Sequence, residues 1–332
     1  MKRALFQLAL IAIVGNANPF VAQPDPCLRR TIAANVFDVQ DRMISDLTVD
    51  DFQASLGHEP IKILSVTSSD KPRIVIVVAA TGSGLDKKSD WDAAMDSAKL
   101  LTESLADGAE VGLVVISSRL ELTHALTRDH QFMLRDFDRL KSDRHQLIKS
   151  VEAPPFWDAM AQALSLFGPL VAGDTLYVIS NGRDFGSRLR PADFERYASG
   201  VRMFALVPYP IAIINSREGS EDKLLHLVSR SGGSGLVFST EYDPNKDAGP
   251  NHISFASVLT GDLFLGARKR QIQRVATFYR IQIELPRPIE SKSEWNLKLT
   301  RKSGLSIQGP YVAYPALLWP CEQRPESAES VH

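Results

Sequence analysis

The unbroken β-branched run Ile74-Val75-Ile76-Val77-Val78 constrains the fold more than any other stretch of this chain. A strand that shows one face to water alternates apolar and polar side chains, so a run without alternation must be covered on both faces. The same texture returns at Val111–Ile116, Thr175–Ser180, Val201–Val207 and, shorter, at Leu236–Ser239. Helical spacing fills the intervals. Trp91, Ala94, Met95, Ala98, Leu101 and Leu105 recur on one face, with Ser89 placed to cap the start and Gly108 to end it. Phe132, Leu134, Phe137 and Leu140 make a second such face after a weaker extended piece, Leu120–Thr127. Further helices are expected from Phe156 to Phe167, after Pro191, over Glu221–Ser229, and from Ile253 to about Arg274. Strands alternating with helices of roughly 10 to 20 residues imply a doubly wound, mainly parallel, Rossmann-like α/β sheet.

The flanks have a different grain. Residues 28–70 hold no long helical pattern, and after Val275 the chain alternates through Phe278, Arg280 and Gln282, then through Trp295-Asn296-Leu297-Lys298-Leu299. Pro286, Pro288 and Ser303-Gly304 supply turns. Both flanks together predict a small β-sandwich into which the α/β domain is inserted. The expected division is a signal peptide with a short linker over 1–23, a β segment over 24–70 and the α/β domain over 71–274. A second β segment over 275–321 and a polar tail over 322–332 complete it.

With 332 residues, two sizeable cores are within reach. A net charge of -1 provides no field for nucleic acid or an anionic membrane. The densest basic cluster, Arg268-Lys269-Arg270 with Arg274, reads as a solvated helix face. At the N-terminus, Lys2 and Arg3 precede an apolar stretch from Ala4 to Val14, shorter than the about 20 residues a membrane span needs. It fits the hydrophobic part of a secretory signal, with cleavage sites after Ala17 or Gln23, and predicts export to the periplasm or medium with no membrane span remaining after cleavage. In an exported chain the two cysteines, Cys27 and Cys321, favour a disulfide.

Three segments resemble one family. Leu47-Thr48-Val49-Asp50-Asp51-Phe52, followed by Gly57-His58-Glu59-Pro60-Ile61, looks like a lead-in strand pair. The core strand runs into Ala79-Ala80-Thr81-Gly82-Ser83, and Ser180-Asn181-Gly182-Arg183-Asp184 ends a later strand. Tyr279-Arg280-Ile281 and Gly309-Pro310-Tyr311 close the pattern. In order and spacing, over about residues 35 to 315, these are similar to the exported bacterial proteins with a von Willebrand factor A-related domain. That resemblance implies a metal-ion-dependent adhesion site at the sheet's carboxyl edge. The family pattern is Asp-x-Ser-x-Ser in the first loop, a Thr in the second and an Asp in the third. Here Ala79 stands for the first Asp, Thr81 and Ser83 keep hydroxyls, Pro154 stands for the Thr, and Asn181 replaces the last Asp. A hard dication needs oxygen ligands and carboxylate charge, so the expectation is a degenerate site that binds no metal. Asp158 and Asp184 are the remaining carboxylates that could restore one; Asp158 also suits a helix start, and Asp184 a cap on the next turn.

Enzymatic patterns fail on residue order. Thr81-Gly82-Ser83-Gly84 lacks the third glycine of a dinucleotide loop, and Lys87 occupies its place. Ser231-Gly232-Gly233-Ser234-Gly235 misses the order of a nucleophile elbow, and the seven histidines fall into no metal spacing. No catalytic residue, cofactor or nucleic acid is therefore expected. The leading expectation is an interaction module whose protein partner meets Trp157, Arg183, Phe185, Arg188 and Arg190 at the carboxyl edge. A structural or assembly component of the cell envelope is the alternative, and a hydrolase with an unrecognised site is a third reading.

Overall fold

The computed structural model describes residues 27–38, 40–80, 85, 87–117, 120–147, 155–208, 220–240, 259–300 and 311–321. The expected signal peptide and polar tail lie outside them.

The β-branched run becomes β4 (Arg73–Ala79), flanked by β5 (Glu110–Ile116) and β7 (Thr175–Ile179), with β8 (Arg202–Pro208) and β9 (Gly235–Phe238) beyond. These five pair in parallel, and β6 (Leu120–Thr127) adds an antiparallel edge, giving the order β6-β5-β4-β7-β8-β9. The architecture is mixed α/β with a mainly parallel sheet. Strand order reverses direction between β4 and β7, so the loops leaving those strands part at a crevice.

Both faces of the sheet are covered, as an unalternating run requires. Ile74, Ile76 and Val78 point to one layer, formed by α1 (Lys88–Glu103), α2 (His130–Ser142) and the long final helix, here α7 (Gly261–Ala276). Val75, Val77 and Ala79 point to the other, formed by α4 (Phe156–Ser165), α5 (Pro191–Tyr197) and α6 (Ser220–Arg230); a single turn, α3 (Arg144–Leu147), follows α2. Each fully buried Val or Ile contributes about 1.5–3 kcal/mol. Two boundaries differ from expectation. Lys87, not Ser89, is the N-cap of α1 and makes no side-chain cap; Ser89 sits inside the first turn. α4 ends at Ser165, and Phe167 is buried just beyond it. The described part of the last helix begins at Gly261, and the start expected at Ile253 lies outside the described residues.

The flanks join, but not as the small sandwich expected from their alternation. β1 (Arg29–Phe37), β2 (Phe52–Leu56), β3 (Glu59–Ser69), β10 (Phe278–Glu284), β12 (Asn296–Leu299) and β13 (Tyr311–Ala313) form one antiparallel sheet, ordered β12-β2-β3-β10-β1-β13. Its edge strands β12 and β13 come against each other, so the sheet curls toward closure around Ile32, Phe52, Ile61, Ile281, Trp295 and Leu297. A separate two-stranded piece pairs β11 (Ser293–Glu294) with β14 (Leu317–Leu318). Closure wins because one curled sheet buries its inner face without needing a second sheet of comparable size.

This β unit seats against the amino ends of the parallel strands. Arg202, at the start of β8, is wholly buried. Its guanidinium donates to the carbonyls of Arg274 at 3.0 Å and Val275 at 2.9 Å, to Thr175 Oγ1 at 2.8 Å and to Asn35 Oδ1 at 3.2 Å. Asn35, buried in β1, donates to Arg274 O at 3.1 Å and Thr277 O. Gly173, at φ +103°, leaves room for the Phe278 ring, which lies 2.2 Å from where a Cβ would stand. The basic cluster of α7 is therefore not a plain solvated face: Arg270 and Arg274 pair with Asp41, and Arg268 donates to Ser97 Oγ at 3.2 Å.

The end of the chain forms a strap over this junction. Ala316 N donates to Arg230 O at 2.8 Å and Trp295 Nε1 to Pro315 O at 2.7 Å. Gly232, at φ +81°, lies so close beneath that a Cβ would meet the Tyr314 backbone at 2.6 Å. The strap ends in the disulfide Cys27–Cys321, Cα atoms 5.4 Å apart, as the cysteine count favoured.

Candidate functional site

The carboxyl edge of the parallel sheet is built on β7 and α4. Leaving β7, the chain turns through Ser180, Asn181 and Gly182, the last at φ 71°. Ser180 Oγ accepts from Gly182 N at 3.0 Å and Asn181 Oδ1 from Arg183 N at 3.1 Å, and both side chains are buried. The turn thus satisfies its own backbone before reaching the surface.

Beyond it, the loop and the neighbouring helix hold each other. α4 begins after Pro155, which cannot cap it, so its first N–H groups need acceptors from elsewhere. Asp184 Oδ1 accepts from Phe156 N at 2.8 Å, and Ser187 Oγ from Trp157 N at 3.0 Å and Asp158 N at 3.3 Å. Ser187 also donates to Asp184 Oδ1. Asp158 returns the contact from the helix, accepting Leu189 N at 2.9 Å and Arg188 N at 3.1 Å. Two carboxylates at a helix N-terminus are favoured by its dipole and by charge-assisted bonding. Asp184 was expected to cap the next turn; it caps α4 across space instead, because β4 and α4 bring the two loops side by side.

The sequence-named positions divide accordingly. Ala79 ends β4 with 1% exposure and offers no ligand atom, and the Asn181 Oδ1 is taken by the turn. Thr81, Ser83 and Pro154 lie outside the described residues. Both carboxylates that could have restored a metal, Asp158 and Asp184, are engaged by backbone N–H groups. Among the described residues no three His, Cys, Asp or Glu side chains converge.

Of the surface candidates, Trp157 is 3% exposed, packed against Phe156 and Phe194 at ring-centroid distances of 4.9 and 5.6 Å. It is a core residue and not an exposed anchor, because position 157 falls on the sheet-facing side of α4. Phe185 is 69% exposed. Arg190 is committed to Asp193 through bonds of 2.7 and 3.0 Å, which raise its already high pKa. The guanidinium groups of Arg183 and Arg188 are exposed and make no ion pair or hydrogen bond among the described residues.

No protein-family model matches the chain, and no curated protein matches it in sequence. Likenesses appear among solved structures. The conserved hypothetical protein BatB from Bacteroides thetaiotaomicron is similar at 16% identity and a TM-score of 0.42, over 62% of this chain and 98% of that one. An aerotolerance-related membrane protein from Bacteroides fragilis is similar at 17% identity and a TM-score of 0.42, over 61% and 98%. A von Willebrand factor type A protein from Catenulispora acidiphila is similar at 14% identity and a TM-score of 0.41, over 82% and 74%. The α/β assignment rests on strand order and register.

The sequence reading missed the pairing of Ser187 with α4 and the burial of Arg202. Arg202 left a trace, a lone charge inside the apolar strand Val201–Val207. Ser187 left none, since its partners stand 29 and 30 residues away.

Proposed function

We propose that this chain is an exported, non-enzymatic interaction module, built on a von Willebrand factor A-like domain whose carboxyl edge binds a protein partner without a metal. The observation that carries this reading is the reciprocal clamp of Asp158, Asp184 and Ser187. In a metal-dependent edge, a cation organises loops from different strands. Here carboxylates and a hydroxyl of the chain itself join the loop after β7 to the start of α4, which supports a reading in which this part of the edge is ordered by the protein's own side chains. Preorganisation matters because ordering a loop on binding weakens the complex. The N-terminal apolar stretch and the Cys27–Cys321 bond support export, since disulfides persist in oxidising compartments.

The test is affinity capture from the source organism's envelope and medium, with and without chelator. The wild type and a variant with Arg183, Arg188 and Arg190 all changed to Glu are compared. Capture that survives chelator and is lost in the variant supports the reading. Capture that chelator abolishes, or that Trp295→Ala removes while the triple variant keeps it, overturns it.

A further inference from the structure

We infer that the partner surface at this edge is made for an acidic protein segment carrying an apolar side chain among its carboxylates, an inference that rests on the proposed function. Three features of the loop over 181–190 point there together. Phe185 holds its ring in water at 69% exposure, whereas most large apolar side chains of the described residues are buried. Arg183 and Arg188, two and three residues to either side, have no acidic partner among the described residues, although Arg190, Arg230, Arg270 and Arg274 each have one. The backbone beneath all three is fixed: Arg183 N binds Asn181, Arg188 N binds Asp158, and Asp184 caps α4 next to Phe185.

The acids in and beside the loop do not answer these cations. Asp184 faces the α4 N–H groups, Asp193 holds Arg190, and Asp158 holds the loop backbone. An aromatic between two uncommitted guanidinium groups is complementary to carboxylates flanking an apolar residue: arginine forks bind carboxylates in bidentate fashion, and the ring fills an apolar contact. An anionic membrane would also attract arginine and phenylalanine, but polybasic recognition of lipid uses clusters of about 4–8 cations. Two are uncommitted here, and the net charge of the chain is -1. The observations favour the protein segment.

The experiment uses the whole exported chain and fluorescence anisotropy with a labelled synthetic peptide in which Glu and Asp surround one Phe. A second peptide has every acid changed to the amide, and vesicles of mixed phosphatidylserine and phosphatidylcholine form a third arm. The acidic peptide is expected to bind saturably, more weakly as salt rises, and at least about tenfold more weakly to Arg183→Glu/Arg188→Glu and to Phe185→Ala. Arg183, Phe185 and Arg188 are exposed, so these variants are expected to keep the wild-type melting temperature; the Arg183→Gln/Arg188→Gln pair serves as a second test without charge reversal. The inference is overturned if the acidic peptide does not bind, if the amide peptide binds as well, if the variants bind unchanged, or if the vesicles are bound in preference. Partner capture lost in the triple arginine variant while the acidic peptide fails would leave the proposed function standing and remove this inference alone.

Discussion

The guanidinium carbon of Arg202 lies 4.2 Å from the centroid of the Phe278 ring, a cation over an aromatic face in a position sealed from water. Burial pulls the arginine's pKa down to about 9, assisted by Arg280 and opposed by Asp174, so it remains charged at neutral pH. Charge, ring and the carbonyls of Arg274 and Val275 meet where the α/β domain touches the β unit.

Arg202→Ala should therefore cost about 3 kcal/mol, since carbonyls left without donors cost about 1–3 kcal/mol each. Arg202→Lys should recover a minor part, because a single ammonium cannot reproduce the planar fork. Urea denaturation measures both. An Arg202→Ala protein as stable as the wild type would mean that the junction does not depend on this side chain.

The acid limb of stability should reflect Asp41. Partial burial would raise its carboxyl, but the Tyr311 hydroxyl and the Arg274 guanidinium more than reverse this and hold it below the usual carboxylate range. A carboxyl with a depressed folded pKa stabilises above its unfolded value, and that contribution disappears as pH falls through the folded value. Asp41→Asn is expected to lose at most about 1 kcal/mol at neutral pH, the range of partly exposed pairs. It should also flatten the decline below about pH 4. Asn tolerates the φ of 61° found at this position. Melting temperatures from pH 2 to 7 test it, and an unchanged slope would refute the assignment.

The clamp can be measured as a helix cap. Ser187→Ala and Asp184→Ala should each destabilise by about 1 kcal/mol. Since the two side chains bond one another, the double variant should lose less than the sum. Strict additivity would show that they act independently.

Calorimetric titration with millimolar Mg²⁺ should give no saturable heat, and chelator should leave the melting temperature unmoved. Saturable binding abolished by Thr81→Ala would show a working metal site and overturn the metal-independent reading.

Reduction of Cys27–Cys321 should lower stability by no more than about 5 kcal/mol, the chain-entropy ceiling for so long a loop. Unreduced peptide mapping should find the cross-link, and Cys27→Ser/Cys321→Ser should melt at the temperature of the reduced wild type.

What the sequence revealed follows from how locally each feature is encoded. The run Ile74–Val78 announced a doubly covered strand because burial on two faces is written in consecutive residues. The curling of the flanking sheet was hidden, because it depends on β12 meeting β13 across the unit. Trp157 shows the ambiguity of aromatics: beside a loop, a Trp suits a partner or a core equally, and its turn around α4 decides for the core. The clamp needed knowledge that the loop after β7 passes the start of α4, since Asp158 and Ser187 mean little until the fold brings that loop to the helix.

The disulfide at the foot of the strap has a mechanical consequence. Tension applied between Cys27 and Cys321 runs through one covalent link and not through the polypeptide joining them. The α/β domain hangs from that link as an unstretched loop, with its carboxyl edge at the end of the strands away from the β unit. While the bond is intact, tension that enters before Cys27 and leaves after Cys321 bypasses everything between them, and the loop carrying Phe185 keeps its resting geometry.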